Sequence, residues 1–127
     1  MELKTINKVF YYTDVLPFLS KGEDAVDKLK RNLEIFKEEQ ESIRLVWHPW
    51  SKTEEYLELN KSDVIKDYKE IIDTYLSEGW GELDRSESMS DAKEAMLKCD
   101  AYYGDSCDLI YEAQNARMPV MIQNVDC

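Results

Sequence analysis

The chain contains a single histidine, His48, within the aromatic segment Trp47-His48-Pro49-Trp50. A neutral imidazole at the end of a strand can act as a general acid or base or donate to a phosphate, and the indoles can stack on a nucleobase or sugar. The competing interpretation is a histidine packed among aromatic side chains. His48 is our candidate catalytic residue, and Trp47 is a candidate ligand contact.

A second candidate segment, Gly104-Asp105-Ser106-Cys107-Asp108, is predicted to open a helix. Glycine permits close backbone approach, Asp105 or Ser106 can cap the helix, and the free N–H groups of a helix start can bind a diphosphate. A simple capped helix is the alternative. The ligand-binding candidates are Gly104, Asp105, Ser106 and Cys107 from this segment and Thr13 from an earlier polar turn.

The three cysteines, Cys99, Cys107 and Cys127, are odd in number and contain no Cys-x-x-Cys pair. This spacing predicts free thiols rather than a disulfide framework. One histidine cannot build a histidine metal site, so we expect no metal and no cofactor. A dyad of Cys107 with His48 requires that folding bring the two together.

The charge excludes whole classes of partner. With 16 Lys+Arg against 27 Asp+Glu in 127 residues, the net charge is −11. Such a surface repels nucleic-acid backbones and anionic bilayers, so we expect no nucleic-acid partner. The sequence has no apolar run long enough for a membrane span and no apolar signal core, which predicts a cytoplasmic protein. The length and the 43% hydrophobic content predict one folded domain over residues 1–127.

Short apolar runs alternate with helical periodicity along the chain. The predicted strands span residues 9–13, 43–47, 81–83, 101–103 and 120–123, and the predicted helices span 23–39, 53–59, 64–76, 90–98 and 108–116. Pro17 and Gly22 are assigned to a loop, His48-Pro49 is expected to end the second strand, Gly79 to follow the main helix, and Ser88 or Ser90 to cap the next. Predicted core residues are Leu29, Leu33, Phe36, Val46, Tyr68, Ile72 and Ile122.

This alternation predicts an α/β fold, a Rossmann-like three-layer domain with a mainly parallel sheet. Ligands of such folds lie beyond the carboxyl ends of the strands. The loops after residues 13, 47, 83 and 103 therefore form the predicted ligand-binding edge.

Several segments resemble one bacterial family. Ala101-Tyr102-Tyr103-Gly104-Asp105, Leu109-Ile110 and Pro119-Val120-Met121-Ile122-Gln123-Asn124 are similar to the carboxyl-terminal part of CDP-glycerol glycerophosphotransferases, which build teichoic-acid or capsule-like polymers. Phe36-Lys37-Glu38-Glu39-Gln40, Leu45-Val46-Trp47 and Glu78-Gly79-Trp80-Gly81 extend the resemblance over most of the chain.

The resemblance implies a GT-B architecture in which this chain is the donor-side half. It further implies a CDP-linked or other nucleotide-linked donor, an acceptor-domain polypeptide as partner, and a membrane-peripheral location through that partner. Two departures stand out. In an ungapped alignment His48 replaces the arginine of Arg-Pro-His-Pro, and Cys107 and Asp108 replace a serine pair.

Two classes of function follow. In the first, the chain binds the nucleotide-linked donor of a transferase, with His48 and Ser106 contacting the diphosphate and the acceptor side supplied separately. In the second, it is a stand-alone degenerate domain that acts through protein contact or weak nucleotide binding.

Overall fold

A computed structural model describes residues 7–60 and 63–122. The elements follow one another as β1 Lys8–Thr13, α1 Leu16–Lys21, α2 Glu23–Glu38, β2 Arg44–Pro49, α3 Thr53–Leu59, α4 Ile65–Glu78, β3 Glu82–Leu83, α5 Met89–Leu97, β4 Ala101–Gly104, α6 Leu109–Asn115 and β5 Val120–Ile122. Among the described helices, none is long and apolar enough to cross a membrane.

The five strands form one sheet in the order β3-β2-β1-β4-β5, and each neighbouring pair is parallel. The predicted Rossmann-like α/β fold is confirmed. The chain moves outward from β1 to β3 on one side and then crosses to β4 on the other side of β1. The fold therefore has a topological switch point between the carboxyl ends of β1 and β4.

Successive strand residues alternate between two apolar clusters, as the pleat of a strand requires. Val9 and Tyr11 pack with the buried residues of α1 to α4, and we call this side the α2/α4 face. Phe10 and Tyr12 pack with α5 and α6, and we call this side the α5/α6 face. The sheet thus lies between two helical layers, and a side chain's odd or even position decides which layer it meets.

Two predicted helix ends are confirmed. Gly79 terminates α4 in the left-handed conformation, with φ of 67°, which glycine adopts without steric cost. Ser88 caps α5 by accepting a hydrogen bond from the Asp91 backbone N–H at 3.1 Å.

The two prolines differ in outcome. The prediction of a loop at Pro17 is wrong, because Pro17 lies in the first turn of α1, where proline's missing N–H costs nothing. The prediction that His48-Pro49 ends β2 is confirmed in that Pro49 is the last residue of the strand, although β2 extends two residues past the predicted bound at Trp47. Pro49 pairs with Thr13, whose carbonyl accepts from the N–H of the next residue, Trp50, at 2.9 Å.

The core prediction is confirmed for Leu29, Leu33, Val46, Tyr68 and Ile72, all buried, whereas Phe36 is only partly buried. Ile122 is wrong, with 38% of its surface exposed. It belongs to β5, the edge strand of the sheet, which among the described strands pairs with β4 alone. Gln123, predicted to end this strand, and Cys127 lie outside the described residues.

Candidate functional site

The switch point between β1 and β4 is closed by the chain's own side chains. Asp105 is 2% exposed, and its Oδ2 accepts the Asp14 backbone N–H at 2.7 Å. Its own N–H donates to the Tyr12 carbonyl at 3.0 Å, and its carbonyl accepts from the Tyr102 hydroxyl. The Asp105 carboxylate therefore accepts the hydrogen bond of a backbone N–H at the position where an open α/β sheet ordinarily binds its ligand.

Gly104 makes this closure possible. Its φ is 134°, and a Cβ built on it would overlap the Tyr12 carbonyl oxygen of the neighbouring strand. The predicted close backbone approach at this glycine is therefore an approach between two strands of the protein. Gly104 is buried in the sheet and does not itself line an open surface.

The prediction that Asp105 or Ser106 caps α6 is wrong. The residue at the cap position is Asp108, and its side chain makes no capping hydrogen bond. The Asp105 carboxylate is engaged with β1 instead. Ser106 is exposed and Cys107 is partly exposed, so these two are the members of the segment that reach the surface.

Thr13 and Trp47 lie on the other side of the sheet from His48. The indole Nε1 of Trp47 donates to the Thr13 hydroxyl at 3.0 Å, and both residues are buried. Trp47 packs in the cluster of the α2/α4 face. The predicted ligand contacts are thus divided between the two faces of the sheet. The hydroxyl of Thr13 accepts its hydrogen bond from the Trp47 indole.

His48 lies on the α5/α6 face, beside the aromatic residues of β1. Its ring stacks on Phe10 and Tyr12, with centroids 5.4 and 5.8 Å apart. Its Nδ1 is 2.9 Å from the Asp84 carboxylate Oδ2 and 3.2 Å from the Asp84 carbonyl oxygen. The other carboxylate oxygen of Asp84 accepts from the Ser86 hydroxyl at 2.7 Å.

Burial lowers the pKa of His48 below its ordinary value of 6.5, and the attraction and hydrogen bonds of Asp84 oppose that shift only in part. The imidazole is therefore neutral at pH 7. A neutral imidazole holds one proton, so one ring nitrogen donates and the other accepts.

A cavity of about 110 Å³ opens beside His48 at the carboxyl edge of the sheet. Its walls combine aromatic, hydroxyl and carboxylate side chains with the imidazole and a thiol, and they include Tyr12, His48, Trp50, Ser51, Ser88 and Cys107. Cys107 and His48 therefore line the same cavity, which is the condition that a dyad of the two would require. Burial raises the pKa of the Cys107 thiol, so at neutral pH it is protonated, and its Sγ lies 3.5 Å from the Tyr102 hydroxyl.

Asp84 is not among the functional candidates that residue types and spacing select, although the loop after residue 83, which contains it, belongs to the predicted ligand-binding edge. The signal for Asp84 is a carboxylate directly after a strand, but its partner depends on β3 lying beside β2. That adjacency is a property of the sheet order, which sequence spacing alone does not provide.

Within residues 7–60 and 63–122, no group of three or more His, Cys, Asp and Glu side chains could hold a metal ion. Comparison of the chain with protein-family models, curated proteins and solved structures finds no match. The sheet order and the parallel pairing show an α/β domain with a five-stranded, Rossmann-like sheet, an architecture compatible with nucleotide binding.

Proposed function

We propose that this chain is the donor-side, nucleotide-diphosphate-binding domain of a protein resembling the CDP-glycerol glycerophosphotransferases. The observation that carries the proposal is a cavity at the carboxyl edge of a parallel sheet in the order 3-2-1-4-5, where Rossmann-like domains receive nucleotides. The sequence resemblance described above supplies the class of ligand.

In this proposal the ligand spans the edge from His48 to the Ser106–Cys107 turn. The aromatic side chains of Tyr12 and Trp50 provide faces for a base or sugar, and Ser106 provides an exposed hydroxyl and backbone N–H for a phosphate. His48 is the candidate acid or base at the cavity wall. The partly exposed Cys107 completes the proposed contacts.

The size of the cavity supports a site that a second polypeptide completes. Pockets that enclose a whole ligand of this size measure roughly 300 to 1,000 Å³, whereas this cavity measures about 110 Å³. We therefore propose that residues 1–127 form one domain, half of a GT-B pair, and that an acceptor-domain polypeptide closes over the carboxyl edge of the sheet. The isolated chain is then expected to bind donor without transferring it.

A stand-alone degenerate module is the second candidate. Two observations favour it over a transferase half: Asp105 occupies the backbone donor at the switch point, and no Lys or Arg among the described residues lines the cavity. Both features disfavour a phosphate dianion, as does the net charge of −11. Such a module would act through protein contact or through weak nucleotide binding.

Calorimetric titration with CDP, CDP-glycerol and UDP-glucose tests the proposal. We expect dissociation constants near 1 mM, equivalent to about 4 kcal/mol, that weaken as salt is added because the phosphates provide much of the attraction. CDP and CDP-glycerol are expected to bind more tightly than UDP-glucose.

A matched pair of charge variants makes the titration specific. Ser106→Asp places a negative charge beside the proposed phosphates and should weaken CDP binding severalfold. Ser77→Asp adds the same charge at an exposed position of α4 and should leave binding unchanged. Absence of binding up to several millimolar, or equal weakening by both variants, would reject the donor site and favour the degenerate module.

A further inference from the structure

We infer that Asp84 is a positioning residue, which holds the His48 imidazole with its proton on Nδ1 and thereby presents Nε2 to the cavity as a hydrogen-bond acceptor. This inference deepens the proposed function. It assigns a role to Asp84, a residue outside the predicted site. It also specifies that His48 accepts a hydrogen bond from the ligand and does not donate one. The tautomer can be measured without any ligand, so it stands or falls separately from nucleotide binding.

The position of the proton follows from the two partners of Nδ1. One is the carbonyl oxygen of Asp84 at 3.2 Å, and the other is its carboxylate oxygen at 2.9 Å. A carbonyl oxygen and a carboxylate oxygen both accept hydrogen bonds. Nδ1 must therefore be the donor, and in a neutral imidazole Nε2 is then unprotonated.

The accessibility of Nε2 follows from the hydrogen bonding of the His48 ring and from the satisfied state of the buried polar atoms. His48 as a whole is 4% exposed, and its hydrogen bonds in the described structure both involve Nδ1. Yet among the described residues no fully buried side-chain nitrogen or oxygen lacks a partner. Nε2 therefore has access to open space, and the 110 Å³ cavity is an open space that His48 borders.

Asp84 is itself held in place, as a positioning residue must be. Its Oδ1 accepts from the Ser86 hydroxyl at 2.7 Å, and its backbone N–H donates to the Trp47 carbonyl at 2.8 Å. The second contact ties the loop after β3 to β2, the strand that carries His48. Ring and carboxylate are thus fixed by neighbouring strands, which makes the geometry rigid before any ligand arrives.

The chemical consequence concerns the ligand atom at Nε2. An unprotonated Nε2 accepts a hydrogen bond from a hydroxyl and can take its proton, whereas it has nothing to donate to a phosphate oxygen. The cavity therefore presents His48 to a hydroxyl-bearing part of the ligand. The phosphate contact that the sequence suggested for His48 would require protonation against the effect of burial.

Nitrogen-15 NMR of the imidazole tests this inference, because His48 is the chain's single histidine and its ring signals need no assignment. Long-range proton–nitrogen spectra of the full chain at pH 7.5 should show a protonated Nδ1 and an unprotonated Nε2. The pH titration of the His48 signals will also reflect the ionisation of neighbouring groups that contact His48 or line its cavity, namely Asp84, Tyr12, Glu87 and Cys107.

Substitutions at Asp84 separate positioning from mere packing. Asp84→Asn keeps an oxygen that can accept from Nδ1, so the tautomer should persist while the pKa of His48 falls further. Asp84→Ala removes the closer acceptor, the carboxylate oxygen at 2.9 Å, and keeps the backbone carbonyl at 3.2 Å. The share of the Nε2-protonated tautomer, which histidine favours in water, should therefore rise measurably without the switch becoming complete. Asp73→Ala, at an exposed position of α4, is the control and should change neither signal.

Inorganic phosphate is the ligand probe that is added in a second NMR experiment. At pH 7.5 it should leave the chemical shift of Nε2 in the wild-type chain unchanged. A wild-type spectrum with the proton on Nε2, identical tautomers in wild type and Asp84→Ala, or a phosphate-dependent shift of Nε2 would each overturn the inference. The wild-type spectrum and Asp84→Asn keep the test decisive if Asp84→Ala does not fold.

Discussion

The carboxyl edge of this sheet has two regions that treat their polar groups in opposite ways. At the ends of β1 and β4, the buried Asp105 carboxylate is bonded to the Asp14 N–H, and the two loops are fastened together. At the ends of β2 and β3, the bonded pair of His48 and Asp84 borders an open cavity. The first region uses its hydrogen bonds to join two loops, whereas in the second region we propose that the second ring nitrogen of His48, Nε2, meets a ligand.

The difference bears on where a ligand would bind. The switch point of an open α/β sheet is the expected ligand position, but here a side chain of the protein accepts the hydrogen bond of a backbone N–H at that point. We propose that a ligand binds instead on the α5/α6 face, in the cavity beside His48 that β1, β2 and the turn after β4 line together. We regard the Asp14–Asp105 junction as structural and this cavity as the proposed ligand site.

The largest effect is expected at Gly104, where the closed region depends on the absence of a side chain. Gly104→Ala would place a Cβ against the Tyr12 carbonyl oxygen at a φ of 134°. Strain and overpacking together should cost more than about 3 kcal/mol, measured by urea unfolding. The control Gly79→Ala, at a φ of 67° with open space around it, should lose only about 1 kcal/mol.

A similar loss in both glycine variants would show that backbone conformation alone matters at Gly104. The close contact between β1 and β4 would then contribute little to stability. That result would remove the structural half of the comparison.

An intermediate effect is expected at Asp105. Asp105→Ala leaves the Asp14 N–H without its acceptor in a part-buried position, which should reduce the free energy of unfolding by about 1 to 3 kcal/mol. Asp108→Ala, three residues later and exposed, should stay within about 0.5 kcal/mol of wild type. Equal stabilities of the two variants would mean that Asp105 does not fasten the loops.

Most of the elements and the parallel class of the sheet were predictable from local patterns, whereas α1 and the strand order were not. Val9 to Thr13 combine β-branched and aromatic residues and form β1, and the 3-4-3 apolar spacing of Val26, Leu29, Leu33 and Phe36 forms α2. The length of β2 was underestimated, because its last pairs, Tyr12 with His48 and Thr13 with Pro49, depend on the neighbouring strand β1. Ile122 was misjudged because its burial depends on strand order.

The candidate site was less predictable than the fold. His48 and Cys107 could be selected by type, and the fold brings them to one cavity. The sequence did not show that Thr13 and Trp47 lie on the opposite face of the sheet from His48. Odd and even positions of a strand face different helical layers, and which layer holds the cavity is known only from the fold. Asp84 required knowledge that β3 lies beside β2, which is a long-range fact about the chain.

A smaller effect is expected from pH at the β2/β3 end. Because burial lowers the pKa of His48 in the folded protein, the unfolded chain takes up the proton first as the solution is acidified. The contribution of the neutral ring is thus fully present above its ordinary pKa of 6.5. It declines as pH falls through that value and levels off below the folded-state pKa.

His48→Gln provides the comparison for this pH effect, because it removes the titration and leaves the carboxylates in place. The difference in unfolding free energy between wild type and His48→Gln, measured by urea unfolding across this pH range, should shrink or reverse on acidification. A difference that is constant with pH would show that the imidazole has the same pKa folded and unfolded.

The central claim, that the cavity beside His48 binds ligand and the Asp14–Asp105 junction is structural, is tested most directly by mapping backbone amide shifts during a CDP titration. The account predicts the largest shifts around the cavity, at His48, Ser51, Ser88 and Cys107, with small shifts at Asp14 and Val15. The largest shifts at Asp14 and Val15, with none at the cavity residues, would contradict it.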